Sequence, residues 1–194
     1  MTSFVLGTAN PDKAREISEI LGALNLIPRP ADLPDVPETG STLVENARLK
    51  AHALVAATGM PAIADDTGLE VDALGGAPGV RSARFAGENA SYRENVELLL
   101  RRLVDVPPPR TARFVTAAVA AWPDGTDIVS IGAVDGSIAF EPRGRNGFGY
   151  DPVFVPADGG GLTFSEMTAA EKNRISHRAL AFEALYLQLR DSRS

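Results

Sequence analysis

Apolar positions along the chain alternate between short strand-like runs and stripes at helical spacing. Phe4-Val5-Leu6 reads as a short buried strand. Asn10-Pro11 then supplies an N-cap and a first-turn proline for a helix whose apolar stripe runs Ala14, Ile17, Ile20, Leu21, Leu24. After a proline-spaced stretch around Pro28 to Pro37, Thr42-Leu43-Val44-Glu45 has the form of a capping box. It opens a helix with an apolar face at Leu43, Ala47, Ala51, Leu54 and Val55, while Asn46 and Lys50 share another face. Pro61-Ala62-Ile63-Ala64 reads as a strand leading into Asp65-Asp66, and Leu69 to Ala73 alternates like a second strand. A glycine-rich loop, Gly75 to Gly79, follows.

Ser91-Tyr92-Arg93-Glu94 is another capping box, and the helix behind it carries Val96, Leu99, Leu100 and Leu103 until Pro107-Pro108-Pro109 stops it. Thr111 to Trp122 and Thr126 to Phe140 read as two strands joined by a hairpin turn at Pro123-Asp124-Gly125. A loop from Glu141 to Tyr150, a short strand at Val153-Phe154-Val155 and a last helix from about Ser176 to Arg190 complete the chain. Strands alternating with helices early, and a long hairpin late, predict an α/β class with a mixed central sheet flanked by helices. One domain over 1–194 is expected, with a lobe boundary near 105–111 at the proline run.

Composition narrows the partners. With 194 residues and 44% hydrophobic content the chain can bury a substantial core. It contains no cysteine, which excludes disulfides, thiolate zinc sites and a cysteine nucleophile. The first residues lack a basic region and a long apolar run, and nowhere do about 18 apolar residues run together, so a cytoplasmic protein without membrane contact is expected. A net charge of −6 argues against a nucleic-acid polymer as ligand, but a pocket for one nucleotide needs only a few cations.

The cations are unevenly chosen. Of 19 basic residues only three are lysine, Lys13, Lys50 and Lys172, and each lies in a motif-like segment. Where arginine serves as the general surface cation, a retained lysine marks a place that needs a compact ammonium, and three of them suggest a polyanionic ligand; chance survival of solvated lysines is the competing reading. Thr8, Asn10 and the first helix amides stand where they could hold phosphate oxygens, with Lys13 one turn in, although Asn-Pro is also an ordinary helix start. The segment lacks the second glycine and Lys-Ser/Thr ending of a Walker A loop.

Asp65-Asp66-Thr67-Gly68 is the sharpest local signal. Adjacent carboxylates near a core are neutralised by a metal, or one of them serves as a base, and magnesium binds through one or two carboxylates plus substrate phosphates. Glu38 and Glu45 could supply a further oxygen, Glu45 being better explained as a cap; a solvated Asp-Asp turn is the alternative. Asp-Thr-Gly also occurs at the catalytic aspartates of aspartic proteases, but it is present once here and those enzymes are all-β. Gly144 to Pro152 packs three glycines around Phe148 and Tyr150, either of which offers a face on which a base can stack, unless the loop is tight around a core aromatic. His177-Arg178 could donate to a carbonyl oxygen on that base, whereas His52 reads as structural.

Taken in order, Thr8-x-Asn10-x-x-Lys13, Glu45-Asn46-Ala47 with Lys50, Ala64 to Leu69, Gly75 to Gly79, Phe148 to Asp151, and Glu171-Lys172-Asn173 with Ser176-His177-Arg178 resemble the inosine triphosphate pyrophosphatase family. Thr67 stands where many members have serine. The resemblance implies a two-lobed α/β protein with its active site in the cleft, usually a homodimer, which hydrolyses deaminated purine nucleoside triphosphates (ITP, dITP, XTP) to the monophosphate and pyrophosphate. It implies that Thr8, Ala9, Asn10, Pro11, Asp12 and Lys13 hold the triphosphate, that Asp66 is general base and Mg2+ ligand, and that Glu38 is a second metal ligand. Thr67 would touch substrate, and Phe148, Gly149, Tyr150, Asp151, Lys172, His177 and Arg178 would surround base and sugar. A buried donor facing the 6-carbonyl of inosine or xanthosine would be left unpaired by the adenine amine, which gives such a site its selectivity.

Overall fold

The computed structural model describes residues 2–191. The elements in order are β1 (Ser3–Leu6), α1 (Pro11–Ile20), β2 (Asn25–Ile27), α2 (Leu43–Thr58), β3 (Ala62–Val71), β4 (Pro78–Gly79), α3 (Tyr92–Arg102), β5 (Thr111–Ala121), β6 (Asp127–Ile138), β7 (Phe154–Pro156), α4 (Ala169–Asn173) and α5 (His177–Asp191). The strands form one mixed sheet in the order β2-β1-β3-β5-β6-β7, with β4 paired to β3. Strand β1 runs parallel to both β2 and β3, whereas β4 and β7 pair antiparallel with β3 and β6. This is the expected α/β class with a mixed sheet and flanking helices.

The chain divides into two compact units, residues 1–66, 116–132 and 178–194 in the first, and 67–115 and 133–177 in the second. The divisions fall within β3, β5 and β6 and at the start of α5, and the proline run lies inside the second unit. In the first unit Phe4, Ile17, Leu21, Ile63, Phe182 and Leu185 are fully buried together. The second unit has its own core, built from Leu69, Leu99, Leu103, Phe114, Phe154 and Phe164.

Local signals explain most element starts. Asn10 caps α1, its side chain accepting from the amides of Asp12 and Lys13, with Pro11 at the first helical position. Ser91 and Glu94 form both arms of the box that opens α3. The α2 box differs from expectation. Thr42 accepts from Glu45 N, but the Glu45 carboxylate reaches one residue further back, to the Ser41 amide and hydroxyl. At the hairpin, Asp124 accepts from the Thr126 amide and hydroxyl while Gly125 N donates to Trp122 O.

The two strands expected on either side of the acidic pair are one continuous strand, β3. Asp65 and Asp66 therefore lie within a strand and not in a turn after it. Strands β2 and β4 and the five-residue α4 were not anticipated by periodicity.

Candidate active site

The first unit gathers most of the predicted phosphate and metal residues. In β3, successive side chains point to opposite faces of the sheet. Ile63 and Asp65 face the side carrying Ile17 of α1 and Phe182 of α5, and Asp66 faces the side carrying Asn46 and Lys50 of α2. Two adjacent carboxylates thus avoid each other by strand geometry, and each meets its own cation. Lys13 Nζ is 3.0 Å from Asp65 Oδ2. Lys50 Nζ is 2.8 Å from Asp66 Oδ1, 2.8 Å from Glu38 Oε1 and 3.0 Å from the Asp65 carbonyl.

Close backbone approach makes the first pairing possible. Gly7 N donates to Ile63 O, and a Cβ at Gly7 would stand 2.7 Å from Ala64 Cβ and 2.9 Å from Leu54 Cδ1. The bare glycine lets the loop that leads to α1 lie directly against β3. Within that loop Thr8 Oγ1 accepts from Asn10 N, Ala9 is exposed, and the amides of Asp12 and Lys13 are engaged by Asn10 Oδ1. Lys13 Nζ is therefore the principal cation this segment offers a phosphate, while the Asp12 carboxylate pairs outward with Arg15.

The environments of the two aspartates move them in opposite directions. Burial raises the proton affinity of Asp66 more than Lys50 and Lys13 lower it, so its pKa lies above the usual carboxylate value. Burial also acts on Asp65, but there Lys13, Arg178 and Lys50 outweigh it and hold the carboxyl well below that range. Burial lowers the Lys13 pKa despite Asp65, whereas for Lys50 the burial effect is overcome by Asp66, Asp65 and Glu38 together. Burial and neighbouring charge thus move the two adjacent carboxyls in opposite directions.

Arg178 was expected beside the base, next to His177. The structure engages its guanidinium with Glu16 of α1 and sets its Nε 3.9 Å from Asp65 Oδ2. Arg178 is 2% exposed, so it belongs to the buried charge network of the first unit.

The second unit holds the aromatic loop. Lys172 Nζ lies 2.6 Å from Asp151 Oδ2, with the Phe148 ring centroid at 5.0 Å and that of Phe164 at 5.5 Å. The same Asp151 oxygen accepts from Phe148 N at 2.9 Å. Gly147 suits that turn: its φ is +71°, where other residues are strained, and a Cβ there would press on the Asp151 carboxylate. Of the two aromatics offered by sequence, Phe148 is half-buried and near Tyr92, with ring centroids 5.8 Å apart. Tyr150 is instead a core residue, 5% exposed, whose hydroxyl donates to Ser82 O, and burial raises its pKa. Gly149 adopts φ +62° between the two, and Thr67 is half-buried on β3. His177 stacks on Phe114 with centroids 4.4 Å apart and 11° between planes.

All three lysines are thus paired with aspartates, Lys13 with Asp65, Lys50 with Asp66 and Lys172 with Asp151. Lysine scarcity was the signal that marked them. Glu16 and Asn46, the latter donating to Asp66 Oδ2 at 3.2 Å, were not given site roles by sequence; sharing a helix face with Lys50 was the available sign for Asn46. His52 pairs with Asp127 at 3.0 Å, as a structural residue would.

Among the described residues no cluster of three or more His, Cys, Asp or Glu marks a metal site. Glu38 and Asp66 nevertheless converge on one ammonium, each through a carboxylate oxygen at 2.8 Å. Two hard oxygen donors directed at one cation fit magnesium, whose other ligands are water and substrate phosphates.

A family model described as the Ham1 family matches residues 4–188. A dITP/XTP pyrophosphatase of Streptomyces avermitilis is 48% identical over 198 residues, covering 98% of each chain. Among solved structures, a HAM1 protein from Coxiella burnetii superposes with a TM-score of 0.88 at 40% identity, covering 98% of this chain and all of its own. A nucleoside-triphosphatase described as a dITP/XTP pyrophosphatase from Mycobacterium abscessus superposes with a TM-score of 0.75 at 42% identity, covering 95% of this chain and 97% of its own. With sequence likeness running nearly end to end and the fold agreeing with it, the chain belongs to the Ham1 family.

Proposed function

We propose that this chain hydrolyses deaminated purine nucleoside triphosphates (ITP, dITP, XTP) to the nucleoside monophosphate and pyrophosphate, removing them from the nucleotide pool. The observation that carries the reading is the pair of adjacent aspartates in different surroundings, Asp65 paired with Lys13, and Asp66 meeting Lys50 together with Glu38 where burial raises its proton affinity. Relatives near half identical over almost the full length bear the name dITP/XTP pyrophosphatase.

In the proposed reaction Thr8 to Lys13 hold the triphosphate, with the Lys13 ammonium neutralising phosphate charge. Asp66 takes the proton from water as the new P–O bond forms, and the α–β anhydride bond breaks with pyrophosphate as one product. Asp66 and Glu38 would hold Mg2+, which when bound neutralises triphosphate charge and polarises the phosphoryl oxygen. Thr67 touches substrate. Phe148 supplies the face for the purine, positioned by the Asp151–Lys172 pair, with Gly149, Tyr150 and His177 shaping the surroundings. Arg178 would stand with His177 beside the base and sugar, and it also shares a charge network with Glu16 and Asp65. The proposal extends to a homodimer in the cytoplasm, which suits a chain without cysteine; among the described residues no helix is long and apolar enough to cross a membrane.

The test is the product balance with inosine triphosphate, with and without Mg2+. The reading expects one pyrophosphate per inosine monophosphate, dependent on the metal. Release of orthophosphate, or no turnover on any deaminated purine triphosphate, would contradict it.

A further inference from the structure

Lys50 has its whole bonding capacity taken up within the protein. A protonated lysine carries three N–H donors and no acceptor. The Lys50 ammonium faces three oxygens, Glu38 Oε1 at 2.8 Å, Asp66 Oδ1 at 2.8 Å and the Asp65 carbonyl at 3.0 Å. The other Asp66 oxygen accepts from Asn46 Nδ2 at 3.2 Å. In this arrangement the ammonium has no donor left for a phosphate oxygen, and both oxygens of Asp66 are engaged by donors.

The geometry points to Lys50 as the resident counter-ion of the Glu38–Asp66 pair, exchanged against a divalent cation and thereby released toward the substrate phosphates. Two carboxylates converging on one place in a largely buried site need positive charge at all times, and without it one of them would have to take up a proton. The lysine supplies that charge when no other cation does. A dication on the same oxygens makes the ammonium redundant and repels it. The Asp65 carbonyl carries no net charge, so it still tethers the released side chain close by. Only the last step, delivery to a phosphate, rests on the proposed pyrophosphatase reading.

The exchange is tested without nucleotide. Mn2+, a paramagnetic probe for Mg2+, is titrated by electron paramagnetic resonance into wild type, Lys50→Met and Lys50→Arg, with thermal melting as the check of folding. Removing the competing charge should tighten Mn2+ binding about tenfold in Lys50→Met, while Lys50→Arg, which keeps the charge, stays close to wild type. Equal or weaker binding by Lys50→Met than by wild type overturns the proposal. A second measurement uses the wild-type chain, whose three lysines give few ammonium signals under 15N-lysine labelling. Mg2+ alone should shift the signal that Lys50→Arg removes and leave that of Lys172 in place; an unmoved Lys50 signal overturns the proposal even where Lys50→Met fails to fold. If both readouts hold and wild type releases no pyrophosphate from inosine triphosphate, the exchange stands and the functional reading falls; turnover without either readout gives the reverse.

Discussion

Asp65 and Asp66 are chain neighbours whose carboxylates answer to different lysines, Asp65 to Lys13 at 3.0 Å and Asp66 to Lys50 at 2.8 Å. The period of two along β3 sends one side chain toward α1 and α5 and the other toward α2, so each meets cations delivered by a different part of the first unit. A turn would have left both in water. A strand places the two carboxylates in different surroundings.

Asp65→Asn removes the anion that Lys13 and Arg178 share, leaving their charges less compensated in a buried place. Denaturant unfolding at neutral pH should show a loss of about 3–5 kcal/mol, the usual consequence of breaking a buried pair from one side. An unchanged unfolding midpoint would remove Asp65 from the charge network.

Lys13→Arg keeps the charge but not the shape, and a planar guanidinium cannot replace an ammonium between Asp65 and a phosphate. Its kcat/KM on inosine triphosphate should fall at least about tenfold. Lys172→Arg must fit a larger head between Asp151, Phe148 and Phe164 where the residue is 4% exposed, so its melting temperature should fall as well. Wild-type behaviour in both variants would show that lysine scarcity marks nothing functional.

Tyr150 contributes to the dependence of stability on pH with a definite sign. Burial raises its pKa in the folded chain, so its share of stability is complete below the unfolded tyrosine value of about 10 and is lost as pH rises above it. Tyr150→Phe should cost about 1 kcal/mol at neutral pH, because the Ser82 carbonyl loses its donor, and should lose less stability than wild type above about pH 10. Urea unfolding at pH 7 and pH 10.5 checks both; parallel losses in the two proteins would place the hydroxyl outside the core.

His177 and Arg178 should separate on substitution although they are adjacent. Arg178→Ala removes a charged partner of the buried Glu16 carboxylate and should destabilise the fold by about 3–5 kcal/mol, lowering activity on every nucleotide. His177→Ala should instead narrow the preference for inosine over adenosine triphosphate by about 1–3 kcal/mol, the value of a buried hydrogen bond to the 6-carbonyl. Melting curves and kcat/KM on both nucleotides decide it; equal proportional losses for His177→Ala would assign it to packing against Phe114.

The sequence carried those elements that advertise themselves locally. Asn10-Pro11 marked α1, Ser91 and Glu94 marked α3, and Pro123-Asp124-Gly125 marked the hairpin, each through bonds spanning a few residues. Continuity of β3 through Asp65-Asp66-Thr67-Gly68 was not legible, because what makes an acidic pair tolerable inside a strand comes from Lys13 and Lys50 on other elements. The choice between Phe148 and Tyr150 was closed for the same reason: the partner that draws Tyr150 inward, Ser82, is 68 residues away. Helix α4 is five residues long without an apolar stripe, and only the Thr168–Glu171 box marks it. The site was legible as a set of residues; which of them share a charge network was not, as Glu16 and Arg178 show.

The most direct measurement compares wild type with Asp66→Asn for pyrophosphate release from inosine and adenosine triphosphates in the presence of Mg2+, alongside nucleotide affinity and melting temperature. Wild type should strongly prefer the inosine nucleotide. The asparagine keeps the shape but has only one oxygen to accept from Lys50 or Asn46 and cannot take the proton, so turnover should fall by about 10²–10⁴ with the fold intact and affinity changed only a few-fold. An Asp66→Asn protein that turns over inosine triphosphate at near wild-type rate would contradict the assignment of Asp66, and a wild type indifferent to the base would contradict the proposed substrate class.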